Sequence, residues 1–250
     1  MFNYYLPPAG SGSPWWPAWS PAGDELAFSM QGTIWQMAID DSVAHEILHT
    51  GEYLSSPAWS PEGRYLAFTS DDQTGINLQL LDLESGAVSA LTEGDHVNLD
   101  PAWSPDGSRL AFVSTRPNGY FNVFIMAIEE GGAGSLIRVT RDNRYGSSRL
   151  YFGDYDLSIQ PTWSPDGQEL ILLSNRQIPL GSGGLWRVPA KENGIAEGTL
   201  IHKEETLYRT RPHWSPDGTR LVYSSHIGGQ FNNLFVLPAS GGEPYKMTFG

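Results

Sequence analysis

Two histidines flank a glutamate in the string His45-Glu46-Ile47-Leu48-His49, which is the spacing of a zinc-protease helix. On a helix, residues i and i+4 stack on one face, so both imidazoles can reach one ion and the glutamate can act as base. On a strand the same residues stand about 13 Å apart, at about 3.3 Å per residue. Two ligands of one zinc each lie only about 2.0–2.1 Å from the metal. Alignment on the repeat set out below puts HEILHT where the last repeat has EPYKMT. Both are short closing strands, so His45 and His49 read as edge-strand residues. The chain contains no Gly-x-Ser-x-Gly elbow, no Walker phosphate loop and no His-x-His pair. The run Gly181-Ser182-Gly183-Gly184 lacks the flanking strand and helix of a dinucleotide site and reads as a loop. No catalytic residue, metal site or cofactor is assigned, and the chain is expected not to be an enzyme by itself.

Recognition is the other chemistry to look for. Arg116, Arg141, Arg144, Arg149 and Arg176 are five of the 15 basic residues, and Tyr145, Tyr151 and Tyr155 lie among them. Arginine and tyrosine are the types enriched at binding hot spots. Two readings stand side by side: these arginines touch a ligand or partner, or they pair with Asp142, Asp154 and Asp156 and pin a long loop. A second group, Asp100, Gln160, Arg209, Arg211 and His213, flanks the starts of strands and is placed either to line a channel mouth or to hold only water.

The elements that position these residues follow from self-similarity. The segments PAWSPAGDELAF, PAWSPEGRYLAF, PAWSPDGSRLAF, PTWSPDGQELIL and PHWSPDGTRLVY carry Trp19, Trp59, Trp103, Trp163 and Trp214, at intervals of 40, 44, 60 and 51 residues. That is the size of a four-stranded propeller blade. Each tryptophan ends a first strand. Ser-Pro-Asp-Gly, as at Ser104 to Gly107, then makes a turn in which proline presets φ, aspartate bonds locally and glycine accepts positive φ. Second strands are the runs LAF, LIL and LVY. Third strands are TIWQMAID, INLQLLDL, FNVFIMAI, GLWRVPA and NLFVLPA, and short fourth strands often end in threonine, as at Thr92, Thr140 and Thr248. The fold class is all-β, a β-propeller of four-stranded antiparallel blades with five repeats, either five-bladed or part of a larger ring. Stacked blades bury both apolar faces, so the five tryptophans are expected in the core. Residues 1–13 read as an N-terminal extension and 14–250 as the propeller, with blades at about 14–52, 53–96, 97–156, 157–207 and 208–250.

With the Ser-Pro-Asp-Gly turns on one face, the loops between second and third strands and the links between blades share the opposite face. The link from Arg141 to Gln160 and the loop from Asn175 to Gly184 are longer than a blade needs, which marks functional loops.

Composition supports a globular β protein: 40% hydrophobic, nine Trp, 28 Gly and 18 Pro without a strict period. A formal charge of -13 repels nucleic acid and anionic lipid, so neither is expected as a partner. There is no cysteine, which removes disulfide and thiol chemistry. No apolar run has membrane-spanning length. The opening MFNYYLPPAGSGS lacks the pattern of a secretory signal.

The Pro-x-Trp-Ser-Pro-Asp-Gly turn followed by Leu-Ala-Phe resembles the TolB-type (WD40-like) β-propeller repeat, from Pro17 to Gly250. Propellers of this type occur in periplasmic TolB, in front of α/β-hydrolase peptidases and in front of amidohydrolase-like metal-dependent hydrolases. The text PWWPAWSP, STRPNGYFNVF, YRTRP and GGEPYKMTFG is most similar to the last group. The α/β domain that precedes the TolB propeller is not among these residues, and the resemblance implies six repeats where five are seen. It implies a bacterial, extracytoplasmic binding or scaffolding module whose partner is a protein or an adjacent catalytic domain, with self-association if the ring is incomplete.

Overall fold

The computed structural model describes residues 12–129, 131–141, 144, 154–178, 183–203, 209–226 and 232–249, with the backbone alone at 209 and 210. Five four-stranded antiparallel sheets follow one another along the chain. Blade one is β1 (Trp15–Trp19), β2 (Glu25–Met30), β3 (Thr33–Ala38) and β4 (His45–Leu48); blade two is β5 (Tyr53–Trp59), β6 (Tyr65–Asp71), β7 (Ile76–Asp82) and β8 (Val88–Ala90). Blade three is β9 (Asn98–Trp103), β10 (Arg109–Ser114), β11 (Asn122–Glu129) and β12 (Gly132–Arg138). Blade four is β13 (Ser158–Trp163), β14 (Glu169–Ser174), β15 (Gly184–Pro189) and β16 (Thr199–Lys203). Blade five is β17 (Arg209–Trp214), β18 (Arg220–Ser225), β19 (Asn233–Pro238) and β20 (Tyr245–Lys246). In each sheet the strands lie in sequence order. The helical content among the described residues is one 3-10 turn, Gly194–Glu197. The chain is thus an all-β run of five propeller blades. His45 to Leu48 of the string form β4, as alignment on the repeat requires, and His49, expected on the same strand, follows its end.

Two compact units make up the chain. One comprises Met1–Leu110, Ser114–Gly119 and Met126–Ser135, the other Ala111–Val113, Tyr120–Ile125 and Leu136–Gly250. In the first, Ala27 and Ile34 of blade one pack with Leu54, Leu66, Phe68 and Leu81 of blade two, and Trp59 lies against them. In the second, Ile171, Leu173 and Leu185 of blade four pack with Leu221, Tyr223, Phe235 and Leu237 of blade five, with Trp214 alongside. Burying each such side chain contributes about 1.5–3 kcal/mol.

The repeat tryptophans are not buried uniformly. Trp163 is 6% exposed, Trp59, Trp103 and Trp214 are half-buried, and Trp19 is 59% exposed. The expectation of five core indoles therefore holds in full only at Trp163, in part at Trp59, Trp103 and Trp214, and fails at Trp19. The cause lies in what each indole leans on: Trp59 and Trp214 pack on the preceding blade, and Trp103 Nε1 donates to Ala58 O at 3.1 Å. Trp19 belongs to the first repeat.

The turns are built as their residues dictate. In blade three the Ser104 hydroxyl donates to Asp106 Oδ1 and accepts from the Arg109 N–H, and Gly107 has φ +71. Blade one has Ala22 where aspartate is expected, and Asp24 takes over, accepting from the Ser20 hydroxyl at 2.8 Å. Serine hydrogen bonds hold Asp106 and Asp166 below the usual carboxylate range and Asp217 down to about 2. A carboxylate with a depressed folded pKa stabilises the fold above its unfolded value near 3.8, and that contribution is lost as pH falls from about 4 towards 2. The triple variant Asp106→Asn, Asp166→Asn, Asp217→Asn is therefore expected to show a flatter loss of stability between pH 4 and 2, read by tryptophan fluorescence. An acid limb as steep as that of the parent would sink the assignment.

A threonine–asparagine clasp closes three blades. The Thr140 hydroxyl accepts from the Val123 N–H at 2.8 Å and donates to Asn122 Oδ1 at 3.0 Å. Thr92 does the same with Leu78 and Asn77, and Thr248 with Leu234 and Asn233. Thr140 and Asn122 are each 1% exposed, so Thr140→Val strands a buried donor and acceptor at an expected loss of about 1–2 kcal/mol. An unchanged urea midpoint would show that the clasp is dispensable.

Candidate binding surface

Backbone hydrogen bonds bring the loops between second and third strands to the starts of first strands. Leu54 N–H donates to Gly32 O at 2.8 Å, Thr115 N–H to Val97 O at 3.1 Å and Ser158 N–H to Phe121 O at 3.1 Å. Leu157 N–H donates to Asn175 Oδ1 at 2.8 Å. Within each unit these loops lie at one end of their blades.

In the first unit Arg116 is half-buried. Its Nε donates to Ser114 Oγ at 3.0 Å and its Nη2 to Asn98 Oδ1 at 3.2 Å. Desolvation lowers its pKa from the ordinary arginine value. Asn98, 0% exposed, in turn donates to Ile76 O and Asn77 Oδ1. Arg116 is thus a member of a network joining blades two and three. Asp100 stands on β9 with φ 53. Nearby, Glu52, Asp72, Glu93 and Asp95 line an open hollow with Ser70 and Thr92.

In the second unit, residues 144 and 155 form an antiparallel bridge, so the long link folds back on itself. Arg144 Nη2 lies 3.3 Å from Asp154 Oδ2, with side chains 72% and 51% exposed, a pair worth little to stability in water. Tyr155 packs against Tyr120 with ring centroids 4.2 Å apart and the rings tilted by 32°, and Tyr120 remains 37% exposed. Arg176 Cζ stands 5.9 Å from the ring centroid of the buried Trp186. Glu192 was not singled out by sequence; it accepts from the Arg138 N–H at 2.8 Å and from Arg141 at 3.2 Å. Arg141 is thereby tied to the turn after β15. Gln160 Oε1 accepts from the Arg211 N–H at 3.1 Å, joining blades four and five. Surrounding protein and then the Arg211 charge lower the pKa of His213, although its side chain meets solvent. Tyr145, Arg149 and Tyr151 lie outside the described residues, as does the side chain of Arg209. Among the described residues no group of three His, Asp or Glu could hold a metal, and no helix is long and apolar enough to cross a membrane.

One recurring feature escaped sequence reasoning. Pairing between first and second strands slips between Trp15 and Ala18, Ser55 and Ala58, Ile159 and Thr162, and Thr210 and His213. At these bulges Trp16, Ser56 and Gln160 adopt left-handed φ of 54, 52 and 54, and Asp100 has φ 53 at the same place in β9. Each residue precedes a proline, Pro17, Pro57, Pro101 or Pro161. Proline has no N–H to give a ladder and within sheets is confined to edges and bulges, so five mid-strand prolines were the signal.

Five consecutive four-stranded antiparallel blades, packed blade on blade within each unit, are the build of a β-propeller. No family model matches the chain. A 134-residue stretch, 54% of the chain, is 27% identical to the Tol-Pal system protein TolB of Anaeromyxobacter dehalogenans strain 2CP-C, and it spans 29% of that protein's length. The structure of putative TolB from Agrobacterium tumefaciens superposes with a TM-score of 0.71 at 22% identity, covering 94% of this chain and 80% of that one. A puromycin-hydrolyzing peptidase of Mycobacterium tuberculosis superposes with a TM-score of 0.62 at 17% identity, covering 96% of this chain and 39% of that one. The chain is thus similar to TolB in its propeller fold and, over about half its length, in sequence.

Proposed function

We propose that this propeller is a protein-binding scaffold that receives a partner on its loop-bearing end. The observation that carries the reading is the tilted Tyr120–Tyr155 ring pair beside Arg144, an aromatic and cationic surface open to solvent on a link that folds back on itself. Arg176, Asp100, Arg116, Arg211 and His213 complete the proposed surface within their own units, and Tyr145, Arg149 and Arg209 belong to it by sequence. The TolB relatives support a protein as the kind of partner. Peptides selected by display against the folded protein should lose at least tenfold in affinity for the double variant Arg144→Ala, Tyr155→Ala. The same peptides should bind the turn-face variant Arg64→Ala unchanged. Equal binding by all three proteins would defeat the reading.

A second reading rests on a different observation: the same fold occupies 39% of a longer peptidase. On this reading the chain is the propeller portion of a larger hydrolase and gates its active site. Reading the gene beyond Gly250 tests it, since further repeats followed by a His-x-His metal motif support the amidohydrolase-like form, and a serine-hydrolase elbow supports the peptidase form.

A further inference from the structure

An asparagine followed by glycine has an amide side chain open to attack by the main chain, because glycine puts no Cβ beside its own nitrogen. The sequence holds two such pairs, Asn118-Gly119 and Asn193-Gly194. The fold treats them differently. Asn193 opens the 3-10 turn Gly194–Glu197, and Gly194 is buried. The N–H groups of Asn193, Gly194 and Ile195 donate to Arg138 O at 2.8 Å, Lys191 O at 3.0 Å and Val139 O at 3.1 Å, and Asn193 O accepts from the Ala196 N–H at 3.0 Å. A Cβ on Gly194 would lie 2.0 Å from Pro189 O. The Gly194 nitrogen is thus held inside a packed turn.

Asn118 and Gly119 stand in the loop between β10 and β11, and both are exposed. Gly119 has φ +84, and a Cβ there would meet nothing within 4 Å. Its N–H donates to Thr115 O at 2.8 Å. An exposed loop closed by such a bond opens at little cost, and opening lets the nitrogen turn onto the Asn118 amide. The Asp-Gly turns at Asp106, Asp166 and Asp217 do not compete. Serine hydroxyls donate to these carboxylates and hold them ionised, and a carboxylate repels the nucleophile that an amide accepts.

We propose that Asn118 is a modification site at which the folded protein converts itself, through a cyclic imide with Gly119, to aspartate and isoaspartate. The Gly119 nitrogen gives its proton to hydroxide and bonds to Asn118 Cγ, the Cγ–Nδ2 bond breaks, and ammonia leaves with a proton from water. Water then opens the imide at Cγ, which restores the main chain with aspartate, or at the backbone carbonyl carbon, which leaves Gly119 joined through Cγ as isoaspartate. The net change is water in and ammonia out, with one more negative charge on the loop two residues before Tyr120. The test is peptide mapping by mass spectrometry of the full 250-residue chain, held folded at mildly alkaline pH. The Asn118 peptide should split into two products of equal, higher mass that separate on chromatography, and the Asn193 peptide should convert at least tenfold more slowly. In the chain unfolded with urea the two peptides should convert at similar rates, since the fold no longer distinguishes them. Asn118→Gln should remove the more acidic species that native isoelectric focusing resolves. An Asn118 that stays intact, an aspartate product without isoaspartate, an Asn193 that keeps pace in the folded chain, or a tenfold gap that persists in urea would each overturn the proposal.

Discussion

Replacing Phe68 with alanine is expected to lower stability by about 3–5 kcal/mol, the range for removing a buried aromatic side chain. Phe68 on β6 is 0% exposed and lies in the cluster that joins blades one and two, with Ala27, Ile34, Leu54, Leu66 and Leu81 around it. Strands on both sides of the cluster are held by their own ladders, so the void cannot collapse. The measurement is the urea midpoint followed by circular dichroism. Phe68→Leu, which keeps most of the volume, should lose less than about 1.5 kcal/mol. A similar loss for both variants would mean that the cluster does not depend on the volume of the ring.

Gly75→Ala should cost about 3 kcal/mol, at the upper end for forcing a methyl group into a packed site. A Cβ there would lie 2.3 Å from Gly94 O, 3.1 Å from His96 O and 3.2 Å from Asp95 Cα. All three obstacles are backbone, so none can swing aside as a side chain would. The site is where the loop between β6 and β7 meets the link into blade three: the Ile76 N–H donates to His96 O at 2.9 Å, and Asp72 Oδ1 accepts from the Gly75 N–H at 2.9 Å. Hydrogen exchange should quicken at residues 72–76 and 93–97 before it does elsewhere. A variant as stable and as protected as the parent would show that the two loops can part freely.

The blades were legible because the residues that build them act locally. Trp-Ser-Pro-Asp-Gly writes a strand end and a turn into five consecutive residues, and the short apolar runs around it follow the strand period. The placement of His45 to Leu48 on β4 came from the same register. What sequence did not disclose depends on neighbours at a distance. Trp19 and Trp163 sit in nearly the same local text, yet one is largely exposed and the other buried, because exposure is decided by the adjoining blade. The substitution of Asp24 for the missing turn aspartate was hidden by its displacement of two residues. Among the recognition residues, Arg116 and Arg141 proved to be tied to Asn98 and Glu192, partners far away in sequence, whereas Arg144 pairs with Asp154, one of the loop-pinning acids inferred from its own link.

The bulges before Pro17, Pro57, Pro101 and Pro161 separate conformation from side-chain identity. A left-handed residue other than glycine carries about 1–2 kcal/mol of strain, and here the positions hold Trp16, Ser56, Asp100 and Gln160, four side chains with no common chemistry. The backbone at these points is therefore dictated by the following proline and the flanking ladder, and the side chain is left undetermined. Variation can rewrite the side chains that stud the first strands one at a time, exchanging an acid for an amide or an indole for a hydroxyl, without altering the course of the main chain. A repeat constrained in this way keeps its scaffold constant across copies while its recognition chemistry drifts independently in each blade.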